Sequence, residues 1–277
     1  MGTPKNQSVM KAFVLLRAFR RPDEWLTSSE LSRRAKMPEA SGYRMMQTLE
    51  GIGAVVRDAR GRYRPGMLLL ELSNSIDAQD LWRTAAQSIL ESWSQRLDVT
   101  VQIGVYEEGM VTYVARAGRP RGSFLLAQGM QFEAYCTALG KILLAELPED
   151  DLKAFFEEGE LVAFTPQTIT REDRLRAELQ EIRLLGFALD DRETLEDVRC
   201  IAAPVRNPAG RVVAAISFCD EADRLSEARR QEMTDNLLEA AAEVGRRIYP
   251  WCDTPPARLS GISGKEPTAM AHAGVAL

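Results

Sequence analysis

The chain has 277 residues, 45% hydrophobic and 27% charged, and that length and apolar content point to a globular protein of about two domains. No apolar run approaches the roughly 18 residues that span a bilayer, and the start "MGTPKNQSVMKAF" lacks a secretory signal, so a cytoplasmic protein without a membrane partner is expected. The net charge of −5 hides an asymmetry, because residues 1–64 carry +7 and the remainder −12, which suggests a polyanionic partner for the first part only.

The N-terminal part reads as three helices and a hairpin. Val9, Phe13, Leu16 and Phe19 follow helical spacing and predict a first helix that ends before Pro22. In "TSSELSRRAKM", Thr27 and Glu30 form a capping box, with Leu31 and Ala35 on the buried face of a second helix. Pro38 then takes a favoured first-turn position in a third, "MPEASGYRMMQTLEGIG". Met45, Met46, Leu49 and Ile52 fall in one sector of that helix, whereas Ala40, Tyr43, Arg44 and Gln47 fall opposite, flanked by Ser41 and Thr48. Gly42 lies on the inward side, where it admits the preceding helix closely at a cost of about 1 kcal/mol in propensity relative to Ala. "AVVRDARGRYRP" alternates as a short hairpin that turns at "DARG".

This order is that of a winged helix-turn-helix, and its third helix has the chemistry of a major-groove reader. Arg bonds guanine O6 and N7, and Gln bonds adenine N6 and N7. The expected DNA-binding residues are therefore Ser41, Tyr43, Arg44, Gln47 and Thr48, with Arg60, Arg62 and Arg64 of the wing neutralising phosphates of double-stranded DNA. The alternative is a cytosolic sensor or thiol-redox module whose N-terminal domain binds protein instead of DNA.

In "GMLLLELSNSIDAQDLWRTAAQSILESWSQRL", Leu68, Leu72 and Ile76, then Leu81, Ala85, Ile89 and Trp93, predict one or two helices. Val99, Val101, Ile103 and Val105 alternate into a hairpin about "EEGM". "TALGKILLAEL" is helical, and "TREDRLRAELQEIRLLG" has Thr170 as N-cap, Asp173 in the box and Gly186 as its stop. A second hairpin turns at "NPAG". A two-residue loop at Pro208 and Ala209 would put Cys200 and Ser217 on one face, and a three-residue loop with a Gly210 bulge would put them on opposite faces. Met233, Leu237, Ala241, Val244 and Ile248 form the stripe of a last helix, and residues after Cys252 read as a disordered tail.

Catalysis is not expected. The one histidine, His272, lies in that tail, which argues against Ser-His-Asp or Cys-His chemistry in the folded body. There is no paired-carboxylate or Gly-rich phosphate motif. Cys136, Cys200, Cys219 and Cys252 form no C-x-x-C and are expected as free thiols, so no catalytic residue, cofactor or metal ligand is assigned.

Three stretches carry a family resemblance: "LTSSELSRRAKMPEASGYRMMQTLEGIGAVVRDARGRYRPG", "AYCTALGKILLAELP" and "LGFALDDRETLEDVRCIAAPVRNPAGRVVAAISF". Over residues 8–250 the chain resembles the IclR-type transcriptional regulators. It departs from their pattern at Gly42, at Tyr135 where many members have His, and at Asp197 where Gly is common. The resemblance implies an α+β protein: a winged helix-turn-helix domain at 1–66, a linker helix at 67–81, a GAF-like effector-binding domain with an antiparallel sheet at 82–252, and the tail at 253–277. It implies a ligand-responsive repressor or activator on a palindromic operator, acting as a homodimer or homotetramer under control of a small organic or aromatic acid. Carried over by position, the effector site is Asp190, Cys200, Ser217 and Cys219, with Ala138, Leu139, Phe124 and Phe132 around them. Asp190 is expected either to pair with an arginine such as Arg199 or to bind a ligand hydroxyl.

Overall fold

The computed structural model describes residues 6–21, 23–119, 129–225 and 227–251. It separates into two compact units, Met1–Ala78 and Gln79–Leu277. In the first, α1 (Gln7–Leu16), α2 (Ser28–Arg34) and α3 (Glu39–Gly51) precede the hairpin β1 (Val55–Arg57) and β2 (Tyr63–Pro65), then α4 (Met67–Ser73).

Local chemistry sets these boundaries. The Glu30 amide donates to Thr27 Oγ1 at 3.2 Å, and the Thr27 amide donates back to Glu30 Oε2 at 2.8 Å. Such a cap contributes about 1 kcal/mol. Pro38 is the N-cap of α3 and not a residue of its first turn, because the helix begins at Glu39. Gly42 faces α2, where a Cβ would lie 2.0 Å from Ser32 Oγ. The wing turns as expected: the Gly61 amide donates to the Asp58 carbonyl at 3.0 Å, and Gly61 has φ +78°. Leu15, Leu31, Met46, Leu49, Val55 and Tyr63 form the core of this unit.

Three expectations for the N-terminal part change. Val9 and Phe13 are exposed, Phe13 by 57%, and Leu15 and Ala18 are buried in their place. The helix is apolar on two sides, and spacing alone does not say which one meets the core. Ile52 is 59% exposed because α3 ends at Gly51 and the chain turns away. Residues 67–81 are not one linker helix: α4 ends at Ser73, and α5 (Ala78–Leu97) starts after a break.

The second unit contains α5, β3 (Thr100–Glu107), β4 (Met110–Ala117), β5 (Gln131–Glu133), α6 (Ala138–Ala145), α7 (Glu149–Glu157), α8 (Glu172–Leu185), β6 (Ala188–Asp191), β7 (Val198–Arg206), β8 (Val212–Glu221) and α9 (Glu227–Ile248). The strands described make one curled antiparallel sheet in the order β5-β4-β3-β8-β7-β6. α5 and α9 cover one face, where Trp93, Met233 and Leu237 meet Ile103, Ile201 and Phe218. On the other face, Leu139 and Ile142 of α6 and Leu175 of α8 meet Val111, Cys200 and Ala215. The sheet is therefore dry on both sides. α8 begins at Glu172 with Arg171 as its N-cap, so Thr170 does not cap it; Asp173 pairs with Arg171 instead.

Two β-bulges set the register of this sheet. One falls between Ile103 and Gly104 of β3, so that Gly104 pairs with Tyr113 of β4. The other falls between Val205 and Arg206 of β7. The β7–β8 turn is the three-residue form, with Gly210 at φ +81° and the Asn207 amide donating to the Arg211 carbonyl at 2.9 Å. Alone, that turn would oppose Cys200 and Ser217. The bulge adds a residue and restores parity: Cys200 pairs with Cys219 and Ala202 with Ser217, all on one face.

Candidate functional site

The first unit presents the outer face of α3. Tyr43, Arg44, Gln47 and Thr48 are exposed, and Ser41 is half-buried on the flank. Gln47 Nε2 donates to the Tyr43 hydroxyl at 3.2 Å, which links the two side chains. Thr48 Oγ1 donates to the Arg44 carbonyl at 3.1 Å, so its proton is already engaged. Because Gly42 has no side chain, α3 approaches α2 closely behind this outer face.

The wing arginines are not equivalent. Arg60 and Arg64 are exposed, and Arg64 stacks over Trp25 with its guanidinium carbon 4.9 Å from the ring centroid. Arg62 instead pairs with Asp58, its Nη2 2.7 Å from Oδ2. Asp58 also accepts from the amides of Arg60 and Arg62 at 2.9 and 2.8 Å, so Arg62 belongs to the scaffold of the turn. Arg57 is also exposed on this hairpin, its guanidinium carbon 5.5 Å from the Tyr63 ring centroid.

In the second unit a cavity of about 10 Å³ lies between α6 and the sheet, lined by Gln102, Tyr113, Thr137, Ala138, Leu139, Asp190, Cys200, Ser217 and Cys219. That is room for about one water molecule. Six of the residues expected around an effector thus line one cavity, Ala138 and Leu139 from α6 and Asp190, Cys200, Ser217 and Cys219 from the sheet. Phe132 does not line it; its ring stacks with Phe164 at 5.2 Å, because β5 is an edge strand. Phe124 lies outside the described residues.

α6 is wholly buried, Lys141 included. Its start is pressed against the preceding turn, where a Cβ on Gly140 would lie 2.1 Å from the Ala134 carbonyl oxygen. Thr137 accepts from the Gly140 amide through Oγ1 and from the Lys141 amide through its carbonyl. As the first residues of the helix, Ala138 and Leu139 have amides without an intrahelical acceptor, and both residues line the cavity.

Asp190 does not pair with Arg199, which bonds Asp191 on the other side of the strand at 2.6 Å. Asp190 accepts instead from the Glu193 amide at 2.7 Å and from Thr194 Oγ1 at 2.8 Å. Burial pushes its carboxyl up to about 6, opposed by the field of Lys141 and by these bonds. Nearby, Lys141 Nζ bonds Glu178 at 2.7 Å and Glu193 at 2.6 Å. Burial also raises Glu193, to about 7, against the pull of that ammonium. Cys200 is raised by its hydrogen bond with Cys219 and by burial, and Cys136 by burial; both changes disfavour the reactive thiolate.

Sequence reasoning missed Gln102, Tyr113 and Thr137, as well as the Lys141–Glu193–Glu178 cluster. Gln102 sits on the face of β3 opposite the apolar set, which reads as wet until α6 is seen to cover it. Tyr113 reaches the cavity through the bulge at Ile103 and Gly104.

A winged helix-turn-helix, followed by an α/β unit that encloses a polar-lined cavity beside a helix start, defines the architecture of a two-domain transcriptional regulator. Residues 8–59 match the IclR helix-turn-helix domain, and residues 74–246 match the C-terminal domain of bacterial transcriptional regulator IclR. The chain belongs to the IclR family of bacterial transcriptional regulators. It is 32% identical to the HTH-type transcriptional regulator KdgR of Escherichia coli over 251 residues, covering 88% of this chain and 95% of that one. Among solved structures, Thermotoga maritima IclR is 29% identical with a TM-score of 0.57, covering 87% of this chain and 98% of that one. An IclR homologue from Microbacterium hydrocarbonoxydans, solved with 4-hydroxybenzoate, shares the fold at 22% identity and a TM-score of 0.58, covering 88% and 100%. The family consists of regulators and not enzymes. No helix among the described residues is long and apolar enough to cross a membrane.

Proposed function

We propose that this chain binds a palindromic operator as a dimer or dimer of dimers, through Tyr43, Arg44 and Gln47 in the major groove and Arg60 and Arg64 on phosphates, under control of a small organic or aromatic acid. The observation that carries the DNA half is the exposed polar face of α3 on a helix locked to its neighbour through Gly42. Ser41 and Thr48 flank it and suit phosphate contacts. The effector half is supported by the cavity, where two helix-start amides suit a carboxylate and Leu139 and Tyr113 supply apolar walls. A neighbour of the same fold was solved with 4-hydroxybenzoate. A space of about 10 Å³ must widen to admit any such acid, so binding selects a form with α6 drawn away from the sheet. A tenfold change in DNA affinity then needs only about 1.4 kcal/mol of coupling.

The test is a fluorescence anisotropy titration on DNA from the promoter next to the gene. Arg44→Ala and Gln47→Ala are each expected to lower specific affinity by roughly 1–3 kcal/mol and to blur preference at one base pair. Unchanged affinity and preference in Arg44→Ala would overturn the assignment of α3.

A further inference from the structure

Gln102 lies in the middle of β3, is 0% exposed and borders the cavity. Its Cα partners are Arg116 on β4 and Ser217 on β8. Cys219 Sγ donates to its Oε1 at 3.7 Å, which turns the oxygen toward the thiol and leaves the amide nitrogen pointing elsewhere. That Nε2 is buried and has no acceptor among the described residues. A buried amide donor without a partner destabilises a fold, and nearly all such groups find one. Leu or Met would fill the same position without that penalty.

We propose that Gln102 is a specificity-determining residue of the effector cavity: its Nε2 donates to a ligand oxygen other than the carboxylate held at the start of α6. This rests on reading the cavity as the effector site. α6 packs on β3, so Ala138 and Leu139 line the cavity from the helix side and Gln102 lines it from the sheet side. Donors thus stand at both ends of the space. The ligand they suit is a carboxylic acid with a second acceptor, a carbonyl or hydroxyl oxygen, separated from the carboxylate by its carbon skeleton. Site groups that hydrogen-bond a substrate oxygen reject the analogue lacking it, because the buried donor is then left unpaired.

The experiment is calorimetric titration of the full chain with matched acids, 4-oxopentanoate against pentanoate and 4-hydroxybenzoate against benzoate, in wild type, Gln102→Leu and Gln102→Met. Wild type is expected to bind the oxygen-bearing member of one pair at least roughly tenfold more tightly than its match. In both variants that ratio falls to near one while affinity for the plain acid is kept. The ligand-free variants are also expected to melt roughly 2–4 °C higher, since the orphan donor is gone. A ratio that survives in the variants, or variants that melt lower than wild type, would overturn the proposal. So would equal binding of both members by wild type, which leaves the effector site itself standing. If no acid binds wild type, the acid reading of the cavity falls and this proposal with it.

Discussion

Asp190 and Glu193 give the molecule an unusual sign of pH dependence. Their folded values, about 6 and about 7, lie above the roughly 4 of an unfolded carboxyl. The folded state therefore keeps protons that the unfolded state has released, and stability falls as pH rises through this window. Their contribution is complete below about pH 4 and is lost once pH passes the folded values. Lys141, raised by its two carboxylate partners against the effect of burial, keeps its charge throughout. The melting temperature is expected to fall between pH 5 and 8, and Glu193→Gln to flatten part of that slope; a scan that rises over the range would contradict the assignment. Gly42 offers a second test at this scale. Gly42→Ala gains helix propensity of about 1 kcal/mol but drives a methyl to 2.0 Å from Ser32 Oγ and 3.1 Å from its Cβ. Overpacking of this kind costs about 1–3 kcal/mol, so the variant is expected to be less stable by urea titration, and Ser32→Gly in the same chain to recover the loss.

Among the elements, the wing separates charge that binds from charge that builds. Arg64→Ala is expected to weaken every duplex about equally and to reduce the slope of log affinity against log salt by about one. Arg62→Ala releases Asp58 from its partner and loosens the turn, so its effect is expected as lower stability of the first unit and a less ordered wing, seen as faster amide exchange at 58–62. Equal salt slopes for wild type and Arg64→Ala would exclude that side chain from the phosphates. The hairpin, the capping box and the role of Gly42 were legible in sequence because each depends on neighbours within a few residues. The buried side of α1 was not, since Val9, Phe13, Leu15 and Leu16 offer two apolar faces and only tertiary packing chooses. Gln102 was hidden for a related reason: alternation marks a strand's apolar face and assumes the other is wet, but here α6 covers it.

For the whole molecule, the order of the N-terminal helices and wing, the two long hairpins and the charge asymmetry were readable from the chain, whereas β5, α7 and β6 were not assigned and the register of the large sheet was not legible, because both bulges answer to long-range pairing. Assembly can be argued from exposure. Val9, Met10, Phe13 and Val14 of α1 and Met67, Leu70 and Leu72 of α4 are apolar and solvent-facing within the first unit. A single small basic module is also a limited surface for specific DNA binding, and a palindrome calls for paired recognition helices. Sedimentation velocity at micromolar concentration is expected to show a dimer or larger species; a monomer that persists with operator DNA present would refute this.

The bulge between Val205 and Arg206 has a consequence for how this cavity tolerates genetic change. β8 carries one residue in excess there, Val213, since Arg206 pairs with Val212 and Val205 with Ala214. Val213 is half-buried and is not among the residues that line the cavity, so exchanging it for another small residue should leave that wall unchanged. Removing the residue altogether shifts the count by one and sends Ser217 and Cys219 to the opposite face from Cys200. Val213 therefore behaves like a spacer in a reading frame: its presence matters and its identity does not, and a relative with one residue fewer between Val205 and Ser217 would need a compensating change in the turn to keep the same wall.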